Sequence, residues 1–99
     1  MAYKVVTSIQ ADAHLEWILE DDTLYTPARR LAYYDELVDR IASLSTMPER
    51  FVQVTVGDNF YRKMSHKAHA IYYRVDAERM KVTVIAILNH RQLPSMHLS

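Results

Sequence analysis

The residues best suited to chemistry lie in the second half of the chain. Arg62, Lys63, His66, Lys67, His69 and Arg74 surround the apolar run Ala70-Ile71-Tyr72-Tyr73, and His90, Arg91 and His97 follow near the end. Guanidinium and ammonium groups clamp phosphates and carboxylates, and imidazole moves protons near neutral pH because its pKa is ~6.5. The cations are therefore either an ordinary solvated rim or a surface built for phosphates or an acidic partner. Arg62 and Arg74, on neighbouring antiparallel strands, are expected to share a face and to lead any anion site. Of Tyr72 and Tyr73, which point oppositely on a regular strand, one is expected in the core and the other on the solvent face beside Arg74. His66, Lys67 and His69 read as a hairpin tip. Their spacing offers no third metal ligand, and His14 and Glu16 do not share a helix face. No metal site is expected, and with a single glycine there is no phosphate loop and no nucleotide cofactor.

Charge divides along the chain although the net charge is zero. Residues 1–60 carry five Lys/Arg against ten Asp/Glu, and residues 61–99 carry seven against two, balances of −5 and +5. Such a division can give a basic face that steers anionic partners. Ninety-nine residues make one domain, 1–99, with a single core. A composition of 49% hydrophobic and 24% charged residues places it among folded globular chains. No run approaches the ~18 apolar residues of a membrane span. The N-terminal MAYKVVTSIQ lacks the apolar block of a signal peptide, and the chain has no cysteine. The expected location is the cytoplasm, with no membrane partner.

The elements that must position these residues follow from periodicity. Tyr3–Ile9 reads as a strand. Ala11, Leu15 and Ile18 at helical spacing predict a first helix over about Gln10–Asp21. Thr26-Pro27 is a helix start, Thr as N-cap and Pro at the first position, and the stripe Leu31, Tyr34, Leu37, Val38, Ile41, Leu44 carries that helix to about Ser45. Val52, Val54 and Val56 alternate up to a turn at Gly57-Asp58-Asn59. Phe60–Met64, Ala70–Val75 and Lys81–Leu88 complete the strands, joined by Ser65–His69 and Asp76–Met80. The expected architecture is α+β: an N-terminal strand, a helical hairpin, then a three- to four-stranded antiparallel sheet with the hairpin on one face.

That order, together with specific residues, resembles the RelE/ParE superfamily of toxins from bacterial type II toxin–antitoxin modules. The likeness rests on His69-Ala-Ile-Tyr-Tyr-Arg74-Val-Asp76, on Val82-Thr-Val-Ile-Ala-Ile-Leu88, on Arg91 and His97-Leu98, and upstream on Ser43-Leu-Ser-Thr-Met-Pro48-Glu-Arg50-Phe. The ending is closer to the ParE type. Asn89 stands where a histidine is common, Leu93 where an Asp is frequent, and the neutral chain departs from the basic character of many members.

The resemblance implies growth arrest by one of two activities. ParE-type members inhibit DNA gyrase, the favoured target here, with no catalytic step of their own; RelE-type members cut mRNA on the ribosome. A ribonuclease would need a base for the 2′-hydroxyl, an acid for the leaving group and cations for the phosphorane. The candidates are His90 or His97 with Arg62, Arg74 and Arg91, but the tail lacks the tyrosine that several ribonuclease members place there. For target or anion binding the candidates are Arg62, Lys63, Lys67, Arg74 and Arg91. The family also implies a cognate antitoxin, which would meet Trp17, Tyr33, Tyr34 and Met64. A third reading is a non-toxic protein-binding module. Convergence of Arg62, Arg74, Arg91 and His90 in one concave patch would favour the nuclease, and scatter over two faces a binder.

Overall fold

The computed structural model describes residues 2–23 and 25–98. Strand β1 (Lys4–Thr7) leads into helix α1 (Ile9–Glu20) and helix α2 (Pro27–Ala42), followed by single 3-10 turns at Ser43–Ser45 and Pro48–Arg50. The chain then runs through β2 (Val52–Val56), β3 (Asn59–His66), β4 (His69–Asp76) and β5 (Lys81–Asn89), and ends in a 3-10 turn at Pro94–Met96.

Local chemistry sets these boundaries. Ser8 Oγ accepts the Ala11 N–H at 3.0 Å and caps α1, and Thr26 caps α2 ahead of Pro27. Gly57 supplies φ +61° at the β2–β3 turn, where a side chain would be strained. The β3–β4 loop is only Lys67-Ala68, since His66 already pairs with His69, and Lys67 takes φ +50° to close it.

The sheet has five strands in the order β1-β5-β4-β3-β2. The last four form an antiparallel meander, and β1 adds to the free edge of β5 in parallel register, Lys4 opposite Lys81. The expected α+β class holds, with a larger and mixed sheet. β5 carries a bulge: Tyr72 pairs with Ala86 and Tyr73 with Val84, so Ile85 is the extra residue. The Ile85 carbonyl accepts from Ser8 Oγ at 2.9 Å and Gln10 Nε2 at 3.0 Å, which fastens the start of α1 to the bulge.

Both faces of the sheet are covered. On the helix side, Ala11, Leu15, Tyr33, Leu37 and Ile41 pack on Met64, Ile71, Tyr73, Val82, Val84 and Ile87. On the other side Tyr61, Ala70, Tyr72, Ala86 and Leu88 gather under Leu98 of the tail. Tyr72 and Tyr73 are thus both buried, one in each cluster, and neither stands on a solvent face beside Arg74 as alternation had suggested.

Candidate functional site

The β3–β4 ladder ends at Arg62 opposite Tyr73, while β2–β3 pairing runs on to Val56–Asn59 and β4–β5 pairing to Asp76–Lys81. Beyond that point β3 and β4 diverge, and a cleft of about 230 Å³ opens between them, lined by Glu49, Phe60, Tyr61, Arg62 and Arg74 among others. The two arginines reach it from opposite faces. Arg62 stands opposite Tyr73 on the helix side, whereas Arg74 lies with Tyr61 on the other. The expectation that they share a face is therefore corrected by the register, although they border one cleft.

Their chemistry differs too. Arg62 Nη1 donates to the carbonyls of Glu49 (3.1 Å) and Phe51 (2.8 Å), and Nη2 lies 3.8 Å from Glu49 Oε2. It ties β3 to the Pro48–Arg50 turn. Tyr73 Oη braces the same turn by donating to the Pro48 carbonyl at 2.5 Å. Arg74 is exposed, stacked 4.6 Å over the Tyr61 ring and donating from Nη2 to Tyr61 Oη at 3.1 Å. An aromatic platform with a fixed guanidinium is a pre-organised receptor for a carboxylate or phosphate.

The other predicted cations lie elsewhere. Lys63 Nζ sits 6.0 Å from the Tyr72 ring centre on the face away from the helices. Lys67 Nζ is 2.7 Å from Glu36 Oε1, so part of its charge is already answered by α2. The middle of that face holds Ala70, Ala86 and Leu88 beneath Leu98, with Lys63 at the Tyr72 ring beside them.

At the opposite end of β4, all five histidines gather. His66 Nε2 is 2.9 Å from Glu36 Oε1, and the paired Lys67 and His66 hold the Glu36 carboxyl below its usual range. His69 is no part of a solvated tip: it is buried, with Nδ1 2.7 Å from Tyr33 Oη. That phenol also lies 3.2 Å from the His66 carbonyl. His90 Nε2 donates to the Lys67 carbonyl at 2.9 Å. His14, buried on α1, accepts the Ile87 N–H on Nδ1 at 3.1 Å, and its ring lies 5.7 Å from that of His97. Arg91 shares a pocket with His90, Asn89 and Asp21. Among the described residues no group of three or more His, Asp or Glu is arranged to hold a metal ion.

Sequence reasoning named His14 and Asn89 without giving them a site role, and missed Asp21 and Gln92 at this end. The one available signal was His14 falling on the apolar stripe three residues after Ala11. Of the residues expected to meet a partner, Trp17 is 59% exposed and Tyr34 half-buried. Tyr33 and Met64 are buried in the helix-side core at 4% and 0%, because α2 closes over β3, so neither offers a surface to a partner.

Burial lowers the pKa of both His14 and His69, with His97 adding to the effect at His14 and His90 at His69. The unfolded chain, with histidines near 6.5, then takes up protons that the folded chain refuses. Both contributions are complete above 6.5 and are lost as the pH falls below it toward the lowered folded values. Denaturant midpoints are expected to drop as the pH is lowered through this range, and the slope to flatten in His14→Gln and His69→Gln. A midpoint constant through this range would refute the assignment.

Comparison with known proteins follows the same outline. No curated protein sequence matches this chain. The toxin–antitoxin complex RelBE2 of Mycobacterium tuberculosis contains a chain of similar structure, with a TM-score of 0.64 at 17% identity over 93% of this chain and 95% of that one. At that identity the likeness speaks for the fold. The sequence model for the ParE toxin of type II toxin–antitoxin systems matches residues 5–94. That span takes in both helices and all the described strands but for Lys4 at the start of β1, and the chain accordingly belongs to the ParE toxin family within the RelE/ParE superfamily.

Proposed function

We propose that this toxin arrests growth in the cytoplasm by binding an essential macromolecule, DNA gyrase before the ribosome, rather than by cutting RNA. The observation that carries the reading is the separation of the candidate groups. Arg62 and Arg74 border a cleft at one end of β4, and His90 and Arg91 line a pocket at the other, about 17 Å away for five residues of strand. Between them the face away from the helices holds Tyr72, Ala86 and Leu88 buried under Leu98, with Lys63 beside Tyr72 and none of the candidate histidines. A ribonuclease needs acid, base and phosphate clamp within hydrogen-bond reach of one phosphate. A binder needs only a charged receptor beside apolar contacts, which Arg74, Tyr61 and the 62% exposed Phe60 provide.

The antitoxin reading rests on the solved relative, a chain of the toxin–antitoxin complex RelBE2. The outer strand β2 is an uncharged edge, Val-Gln-Val-Thr-Val, with Val52 64% exposed, and is open to an added strand. Leu31 and Val38 on α2 and Trp17 on α1 offer apolar contact for a helix.

Induced expression in a bacterial host, with plasmid topology and mRNA integrity read from the same culture, tests this. Relaxed or linearised DNA with intact messages is expected; codon-phased message cleavage with normal DNA would overturn it. The double variant Arg62→Gln/Arg74→Gln should weaken target binding by roughly 30-fold or more, at ~2 kcal/mol or above for charged contacts. His90→Gln/His97→Gln should leave growth arrest intact. Loss of arrest in the histidine variant would refute the binding reading.

A further inference from the structure

A groove runs between the end of α1 and the ends of β4 and β5. Its inner part, about 120 Å³, is lined by His14, Trp17, His69 and Gln92 together with Asp21 and Asn89. Its outer part, about 420 Å³, shares Asp21 and Asn89 and adds His90 and Arg91. The shared residues give the groove an order: aromatic rings within, Asp21 and Asn89 in the middle, cation without.

What the lining can offer a ligand follows from what it has already spent. His14 Nδ1 accepts from Ile87 N, so its Nε2 carries the proton of the neutral ring. Asn89 Oδ1 accepts the N–H groups of Arg91 (2.9 Å) and Gln92 (3.2 Å), and Gln92 Oε1 accepts that of Asn89 (2.8 Å). The remaining capacity of both amides is their NH2 groups, and the Trp17 indole only donates. Arg91 has no ion pair among the described residues. Asp21 is the charged acceptor: Oδ1 takes the Thr23 N–H and hydroxyl, bonds that lower its pKa, and Oδ2 is left for a donor. The His90 ring, donating from Nε2 to the Lys67 carbonyl, adds only Nδ1 beside Arg91. Trp17, 59% exposed and 5.4 Å from the His14 ring, supplies a flat wall.

The matching ligand is acceptor-rich at both ends, hydroxyl-bearing in the middle and aromatic at one end. We propose that this groove binds a ribonucleotide, its base against Trp17, a ribose hydroxyl donating to Asp21 and its phosphate at Arg91. Its source is a free nucleotide or a residue of an RNA strand, since the chemistry is shared. The inference stands apart from the toxin's target, because none of the groups at the Arg62–Arg74 cleft takes part.

Trp17 is the only tryptophan in the chain, so its emission reports on the groove directly. The full-length protein is titrated with each of the four ribonucleoside 5′-monophosphates, with their 2′,3′-dideoxy counterparts and with a short oligoribonucleotide. At least one monophosphate is expected to give a saturable change, and removal of the ribose hydroxyls to weaken it roughly tenfold, the worth of one bond to a charged acceptor. Arg91→Gln should bring the monophosphate down to the affinity of its nucleoside without altering the thermal melt. Tighter binding of the oligomer than of any monophosphate marks an RNA strand as the source, and equal binding a free nucleotide. No saturable change with any of the four, or equal affinity of ribose and dideoxy forms, overturns the proposal.

Discussion

Raising the pH from 10 toward 12 is expected to unfold the protein cooperatively. Burial pushes the pKa values of Tyr33 and Tyr73 from 10.0 up to about 12, and these phenols are only 4% and 0% exposed. At Tyr33 the neighbouring Tyr25 adds to the rise; at Tyr73 the cations Arg62 and Arg50 oppose it without cancelling it. The sign is fixed by which state ionises first. Unfolded tyrosines lose their protons near 10 while the folded pair holds them, so the contribution is complete below 10 and is lost as the pH climbs through 12. Two units per tyrosine correspond to ~2.7 kcal/mol each, ~5 kcal/mol for the pair. For a domain at the lower end of the usual ~5–15 kcal/mol range little is left after that loss. The rise in phenolate absorbance from this pair should coincide with loss of far-UV ellipticity. A denaturant midpoint that does not fall between pH 10 and pH 12 would refute the burial argument.

The sequence made the strands legible because Val, Ile and Tyr alternate with polar residues, and made the start of α2 legible because Thr26-Pro27 is a cap in its own right. Partnership is another matter. Nothing in Lys4–Thr7 says that it lies beside β5 rather than β2; that pairing exists because the meander leaves β5 with a free edge. The faces of Arg62 and Arg74 turned on a one-residue difference in register. A connection spanning Ser65–His69 puts Met64 opposite Ala70 and the two arginines on one face. The actual two-residue loop pairs His66 with His69, which shifts the register by one and sends the arginines to opposite faces. Tyr72 escaped prediction for a different reason. Its burial depends on the tail bringing Leu98 over the open face, a contact between residues far apart in the chain.

The histidine end shows the same limit. Five histidines spread between positions 14 and 97 carry no local spacing rule, and they meet because α1, the β3–β4 loop and the tail all reach the same end of the sheet. Gln10 makes this junction explicit, donating from Nε2 both to the bulged Ile85 carbonyl and to the His97 carbonyl at 2.9 Å. The bulge thus fixes helix, strand and tail against one another. The family motif His69-x-Ile-x-Tyr-Arg74 therefore spans both candidate sites, with His69 in the groove and Arg74 at the cleft.

Tyr73→Ala is expected to cost ~3–5 kcal/mol, the range for removing a large buried aromatic ring. The site has little freedom to collapse. Tyr73 is fully buried, pairs with Val84 across the bulge, and packs among Met64, Ile71, Leu37 and Leu44 in the helix-side core. Tyr73→Phe separates the ring from its hydroxyl. It keeps the packing and leaves the buried Pro48 carbonyl without the donor at 2.5 Å, a loss of ~1–3 kcal/mol. The two variants should also part in function. Pro48 belongs to the turn whose Glu49 carbonyl and carboxylate engage Arg62, so loosening that turn unsettles one wall of the Arg62–Arg74 cleft while the other, Arg74 on Tyr61, stays in place. Folded Tyr73→Phe is then expected to bind target more weakly than its modest loss of stability explains, since a well-folded toxin has the same population of native molecules. Chemical denaturation of both variants beside target binding at a temperature where each is folded decides the matter. Undiminished affinity in Tyr73→Phe would detach the Pro48–Arg50 turn from the cleft's function.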